Sequence, residues 1–131
     1  VISNFSVQAI KNENITIYGD GHQNRSFCYI DDMIDAITKT FESKHQDIHQ
    51  PINLGNPENF TMNQIADKII KIAHSNSEVT HKELPMDDPK QRLPDISLAK
   101  NLLNWNPKVN FDSGIALTIE YFKNELSEFN V

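Results

Sequence analysis

Four groups of residues have types and spacings that could do chemistry. The first is the turn Gly19-Asp20-Gly21-His22, followed by Arg25. Glycine takes positive φ cheaply and lets backbone approach a ligand, and the planar fork of an arginine can grip a phosphate with paired donors. On local grounds a plain hairpin with a surface arginine is the simpler reading, and the spacing is not that of a G-x-x-x-x-G-K phosphate loop. The second group is the charged stretch Asp87-Asp88-Pro89-Lys90-Gln91-Arg92-Leu93-Pro94-Asp95. Loops of this kind often carry binding residues, although a solvated surface loop accounts for it as well. The third is His45 and His49, four apart, a spacing that binds metal when it falls on a helix. Only Asp47 offers a third ligand, so an exposed loop is favoured and no metal site is assigned. The fourth is Cys28, between Phe27 and Tyr29, which reads as a buried structural thiol because no motif marks it as activated.

The remaining catalytic inventory is thin. The glycines are Gly19, Gly21, Gly55 and Gly114, so no G-x-G-x-x-G dinucleotide loop exists. No Tyr-x-x-x-Lys exists either, since Tyr18, Tyr29 and Tyr121 are followed four residues on by His22, Met33 and Glu125. No nucleophile elbow marks a serine. The residues taken alone support a small α/β domain with a candidate anion-binding pair, Arg25 and Arg92.

These residues need elements to position them. Ile2, Phe5, Ala9 and Ile10 predict a short amphipathic helix over 1–11. Ile15-Thr16-Ile17-Tyr18 predicts a strand, and Phe27-Cys28-Tyr29-Ile30 a second. Asp31 or Asp32 should cap a helix whose apolar positions are Met33, Ile34, Ile37 and Phe41. Residues 43–50 read as a loop, and Pro51 to Gly55 as a brief strand. Thr61 with Gln64 is a capping-box signature opening a helix through Ile65, Ala66, Ile69, Ile72 and Ala73. Glu78 to Leu84 reads as an edge strand and 85–95 as an irregular loop. Ser97 should cap a helix through Leu98, Leu102 and Leu103, with Trp105 as a core anchor. Asp112 or Ser113 should start a last helix with Ile115, Ile119, Phe122 and Leu126 on one face. There is no internal repeat.

At 131 residues, the length is a prior for one domain. With 12 basic and 18 acidic side chains the net charge is −6, which argues against a dedicated nucleic-acid or anionic-membrane surface. No apolar run approaches the roughly 18 residues of a membrane-spanning helix. The single cysteine excludes an intramolecular disulfide, and the default expectation is an intracellular, cytoplasmic domain. The chain opens on Val1 directly into an apolar-periodic segment, which predicts a piece of a longer protein. Apolar faces along Met33 to Phe41 and near Leu54 should then be exposed or covered by self-association.

The motifs in their order resemble extended short-chain dehydrogenases acting on nucleotide sugars, the NAD-dependent epimerase/dehydratase family. The resemblance is carried by Asn14-Ile-Thr-Ile-Tyr-Gly-Asp-Gly21, Asn24-Arg-Ser-Phe-Cys-Tyr-Ile-Asp-Asp32, Ile52-Asn-Leu-Gly-Asn-Pro-Glu58 and Phe60-Thr61. It continues through Asp87 to Asp95, Ala99 to Pro107 and Gly114 to Phe122, and covers residues 1 to about 126. Within the family, Arg25-Ser-Phe-Cys-Tyr29 and the Asp-Asp-Pro-Lys-Gln-Arg-x-Pro-Asp stretch are similar to the branch that decarboxylates UDP-glucuronate to UDP-xylose. The 4,6-dehydratases and 4-epimerases usually have Arg-Asp where Ser26 follows Arg25 here. Leu93 departs from the family, which often has a second arginine there.

The resemblance implies a small mixed α/β, C-terminal substrate-binding lobe of a Rossmann-type enzyme, over residues 1–131, with the Rossmann core itself missing. Thr16, Ile17 and Tyr18 match the strand along the uracil base. Arg25 and Arg92 match arginines at the diphosphate, Asp95 falls near the ribose, and Ser3 could also reach the nucleotide. The implied reaction uses NAD. Hydride leaves C4 of the sugar, CO₂ departs from the resulting β-keto acid, and the hydride returns to C4. The NAD loop and the Tyr/Lys pair would lie outside these residues, so no catalytic, cofactor-binding or metal-binding residue is assigned within them. The resemblance further implies a nucleotide-sugar ligand, no nucleic acid or membrane partner, and a homodimeric parent. Two alternatives stay open: dehydration or epimerisation of a nucleotide sugar, and a non-catalytic interaction module that kept the fold.

Overall fold

A computed structural model describes residues 1–83 and 91–128. The described chain is mixed α/β. The elements in order are α1 (Ile2–Ile10), β1 (Ile15–Tyr18), β2 (Asn24–Ser26), α2 (Ile30–Glu42), β3 (Asn59–Thr61), α3 (Met62–Ala73), β4 (Val79–Lys82), β5 (Gln91–Arg92), α4 (Ser97–Leu103) and α5 (Phe111–Glu128). A single 3-10 turn, Gln46–His49, lies between α2 and β3. The strands form a parallel pair, β1-β4, and a three-stranded sheet of order β3-β2-β5.

The chain divides into two compact units. The first comprises residues 1–24, 60–91 and 112–131. Its core follows from two periodicities. Ile15 and Ile17 alternate inward along β1, while Met62, Ile65, Ala66 and Ile69 bury one stripe of α3. Phe5 and Ala9 of α1 are buried too, as are Ile115 and Ile119 of α5. Each fully buried isoleucine contributes roughly 1.5–3 kcal/mol. The predicted capping box is present: the Gln64 N–H donates to Thr61 Oγ1 at 3.2 Å and the Thr61 N–H to Gln64 Oε1 at 2.9 Å. His74, in the left-handed region at φ 53°, ends the helix.

The second unit comprises residues 25–59 and 92–111. Ala36 of α2, Ile96, Ala99 and Leu103 form its core around a fully buried Trp105, with Cys28, Ile52 and Leu54 packed at the margin. Trp105 is thus the anchor its position suggested.

Several elements depart from the sequence reading. The strand expected at Phe27–Ile30 sits three residues earlier, at Asn24–Ser26, because that segment and not the aromatic run makes the ladder. Pro51 to Gly55 is not a strand. Helix α2 begins at Ile30 with no side-chain cap, and Asp32 turns inward instead. Its apolar positions Ile34, Ile37 and Phe41 are exposed, as expected for this face, whereas Leu54 is half-buried against the Trp105 core. Ala36 is the buried apolar residue, whereas Ile30, Ile34, Ile37 and Phe41 are 58%, 54%, 43% and 87% exposed. Ser97 does not cap α4; the Asp95 carboxylate accepts its N–H at 2.9 Å.

Candidate functional site

In the first unit the candidate residues lie on α1 and β1. The Ile15 and Gly19 N–H groups donate to the carbonyls of Glu78 and Lys82, both at 2.8 Å, in or flanking β4. Odd-numbered residues of β1 therefore face the β4 ladder, and Thr16 and Tyr18 turn their backbone groups to the opposite edge. That edge is partly occupied by side chains. The Thr16 N–H donates to Gln8 Oε1 at 3.3 Å, and Gln23 Nε2 donates to the Tyr18 carbonyl at 2.7 Å. Ile17 points into the core, so what it offers a ligand is the position of the strand, not a side-chain contact. Tyr18 is 49% exposed, and Ser3 is exposed in the first turn of α1.

The turn after β1 is rigidly built. Gly19 and Gly21 have φ of 80° and 75°. Asp20 Oδ1 accepts the His22 N–H at 2.9 Å, and Asn63 Nδ2 donates to the Asp20 carbonyl at 3.0 Å. The Asn63 and Met62 N–H groups donate to the Gly21 and Gln23 carbonyls, both at 3.2 Å. The first N–H groups of α3 are therefore spent on this turn and on Thr61, and its N-terminus is not an anion site. A Cβ on Gly21 would lie 2.2 Å from Asn63 Oδ1, so the turn is closed to a ligand at this point. The plain hairpin favoured on local grounds is not formed, since β1 and β2 lie in different sheets; the turn is instead a structural joint packed on the start of α3, and Asn63 fills the space beside Gly21.

In the second unit, Arg25 on β2 and Arg92 on β5 belong to neighbouring strands of one small sheet. Residues 67 apart in sequence are thereby brought together, which neither motif reveals alone. Arg25 is half-buried and Arg92 exposed. Asp95 follows on the same segment as Arg92. Its Oδ1 accepts from both the N–H and the hydroxyl of Ser97, at 2.9 and 2.6 Å. These bonds hold the Asp95 carboxyl below its usual range. Gly55 packs its Cα side against Pro94, where a Cβ would come within 2.9 Å of the ring, so this glycine fixes the approach of the segment carrying Arg92 and Asp95. Asp87, Asp88, Pro89 and Lys90 lie outside the described residues.

The other candidates gain no chemistry. Among the described residues no group of three His, Cys, Asp or Glu could hold a metal ion, and the side chain of Asp47 lies outside those described. Cys28 is half-buried, and burial first, then the charge of Asp32, pushes its thiol up, away from nucleophilic character. Gln8, Gln23 and Asn63 are the residues sequence reading missed. Their roles depend on contacts made after folding, and a lone glutamine or asparagine carries no spacing signal.

The family model described as GDP-mannose 4,6 dehydratase matches residues 1–118. UDP-glucuronic acid decarboxylase 3 of Arabidopsis thaliana is 41% identical over 127 residues, covering 97% of this chain and 36% of the relative. UDP-glucuronic acid decarboxylase 1 of Danio rerio is 40% identical over 126 residues, covering 96% of this chain and 29% of the relative. This chain spans about a third of the length of these curated relatives. Among solved structures, UDP-glucuronic acid 4-epimerase from Bacillus cereus, in complex with UDP-glucuronic acid and NAD, superposes with a TM-score of 0.89 at 31% identity. It covers 95% of this chain and 40% of the epimerase. UDP-glucose 4-epimerase from Thermotoga maritima, with UDP-glucose, gives 0.89 at 29% identity, covering the same shares. Among the described residues no helix is long and apolar enough to cross a membrane.

Proposed function

The chain belongs to the GDP-mannose 4,6-dehydratase family, a group of extended short-chain dehydrogenases, and we propose that it is the nucleotide-sugar-binding portion of an NAD-dependent UDP-glucuronate decarboxylase that makes UDP-xylose. The observation that carries this is the placement of Arg25 and Arg92 on neighbouring strands. A nucleoside diphosphate brings about two negative charges, and two guanidinium groups match them with charge-assisted, bidentate hydrogen bonds. Separately, the free edge of β1 presents the Thr16 carbonyl and the Tyr18 N–H, one acceptor and one donor two residues apart. A base with an N–H beside a carbonyl, such as uracil, complements that pair. Asp95 is assigned to the ribose and Ser3 to the nucleotide's periphery.

The residues present do not fit NAD. Asn63 fills the space beside Gly21, and no glycine-rich loop or Tyr/Lys pair occurs. NAD binding and the chemical steps therefore belong, in this reading, to further residues of a parent enzyme, a cytoplasmic homodimer, and the 131-residue chain alone is inactive.

The second reading is 4-epimerisation or 4,6-dehydration, favoured by the epimerase structures and by the family model. Ser26, beside Arg25 on β2, and the two decarboxylase relatives at about 40% identity support the decarboxylase. The deciding experiment incubates the full-length gene product with UDP-glucuronate and NAD and follows CO₂ and the sugar by NMR. UDP-xylose is expected. UDP-galacturonate without CO₂ would move the reaction to epimerisation, and turnover from the isolated chain would overturn the division of labour.

A further inference from the structure

We propose that Gln8 and Gln23 are base-selecting residues, which act by masking the two outer backbone groups of the β1 edge so that it reads only one donor–acceptor order. The proposal rests on the reading of β1 as the base-binding strand.

Along the edge that faces away from β4, the backbone presents four groups in order: Thr16 N–H, Thr16 C=O, Tyr18 N–H and Tyr18 C=O. Unmasked, this row of alternating donors and acceptors would accept either order of donor and acceptor on a base, by a shift of one group. Gln8 removes the first by accepting the Thr16 N–H at Oε1, 3.3 Å away, while its Nε2 reaches Thr16 Oγ1 at 3.5 Å. Gln23 removes the last by donating from Nε2 to the Tyr18 carbonyl at 2.7 Å. Among the described residues no protein group is paired with the two inner ones, and Tyr18 is half exposed.

Both masks are held from behind. Gln8 projects from α1, whose Phe5 and Ala9 are buried in the core. The Gln23 carbonyl accepts the Met62 N–H at the start of α3, which fixes the backbone from which its side chain reaches back. What remains is an acceptor followed by a donor. Uracil answers with N–H followed by C=O. Cytosine presents a bare ring nitrogen and an amino group, the reverse order, and meets each protein group with its like.

The two glutamines act through opposite ends of the amide, which yields a test that a merely structural role does not predict. Gln8 serves Thr16 N–H as an acceptor, so Gln8→Glu keeps the mask and Gln8→Leu removes it. Gln23 serves as a donor, so both Gln23→Glu and Gln23→Leu unmask the Tyr18 carbonyl. That carbonyl then repels the uracil 4-carbonyl and welcomes a cytosine amino group.

Binding of UDP and of CDP is measured by calorimetry on the full-length gene product and each variant, with melting temperatures alongside. The wild type and Gln8→Glu should share one UDP-over-CDP preference. In Gln8→Leu, Gln23→Glu and Gln23→Leu that preference should fall roughly tenfold, the worth of about one hydrogen bond. If the Gln23 variants do not fold, the Gln8→Glu and Gln8→Leu pair carries the test alone. Folded leucine variants that bind UDP with an unchanged preference would overturn the proposal and leave the base-strand reading intact. A wild type without preference for UDP would overturn that reading itself.

Discussion

Asp32 and Trp105 hold each other from both ends of one residue. The Trp105 indole N–H donates to the Asp32 carbonyl at 3.1 Å. The Asp32 carboxylate accepts at Oδ2 the N–H groups of Lys108 and Val109 at 3.0 and 2.9 Å. A carboxylate only 5% exposed thus ties the start of α2 to the segment leaving α4. Removing it leaves two backbone donors without their acceptor. Asp32→Ala should therefore destabilise the fold by about 2–4 kcal/mol. Asp32→Asn, which keeps one acceptor oxygen, should lose roughly half as much. Urea denaturation of both variants checks this, and a loss within 0.5 kcal/mol of zero for the alanine variant, about what a surface substitution gives, would sink the clamp.

The same aspartate adds to the effect of burial on Cys28. Burial raises the thiol first and the Asp32 charge second, so the folded state disfavours the thiolate. The unfolded chain ionises at the ordinary thiol value, below the folded one. The stabilisation is therefore complete below the ordinary thiol range and is lost as pH climbs through the raised value. Alkylation of Cys28 should show a midpoint above that of a free cysteine peptide, moving down but not fully back in Asp32→Asn. A midpoint at or below the peptide's would contradict the assignment.

How much of this was legible beforehand depended on range. The Thr61–Gln64 box and the Ile15/Ile17 alternation are local patterns, and both are present. The two-residue strand β5 and the three-residue β2 are too short for any periodicity, and they exist because a neighbour supplies hydrogen bonds. For α2 the exposed face was legible and the buried one was not. The helix is apolar on two sides, and periodicity cannot say which side meets Trp105. Ala36, the smallest of its apolar residues, is the one that lets the indole approach. Arg25 and Arg92 were legible as a candidate pair, but their placement on neighbouring strands was not, since strand adjacency is a tertiary fact.

The exposed stripe of α2 has a consequence in solution. Ile30, Ile34, Ile37 and Phe41 recur at helical spacing on its uncovered side, and such a patch drives association. The 131-residue chain should self-associate at micromolar concentration, and Ile34→Ser with Phe41→Ser should shift it toward monomer without lowering its melting temperature. Sedimentation velocity on both forms reads the outcome. A monomeric wild type would show that the stripe is harmless.

Arg25 and Arg92 should be separable from stability as well as from each other. Arg92 is exposed, so Arg92→Ala should leave melting unchanged while weakening UDP-sugar binding by the full-length product about ten- to a hundredfold. The half-buried Arg25 should cost binding and some stability together. Raising salt should narrow the gap between wild type and Arg92→Ala, because an exposed contact is screened. Binding that ignores Arg92 at low salt would remove it from the diphosphate.

Ser6 supplies the sharpest test of the packing in the first unit. It is fully buried in α1, and its hydroxyl has no hydrogen-bond partner among the described residues. An unpaired buried hydroxyl carries a desolvation penalty of about 1–3 kcal/mol, while an alanine at the same place keeps the Cβ and has better helix propensity. The small void left by the oxygen offsets part of that gain. Ser6→Ala should therefore stabilise the protein by about 1 kcal/mol, an unusual sign for a core truncation. Ser6→Val, which adds volume at a fully buried position without a polar atom, should destabilise it through crowding. If calorimetry shows Ser6→Ala melting lower than the wild type, the hydroxyl has a partner such as a buried water.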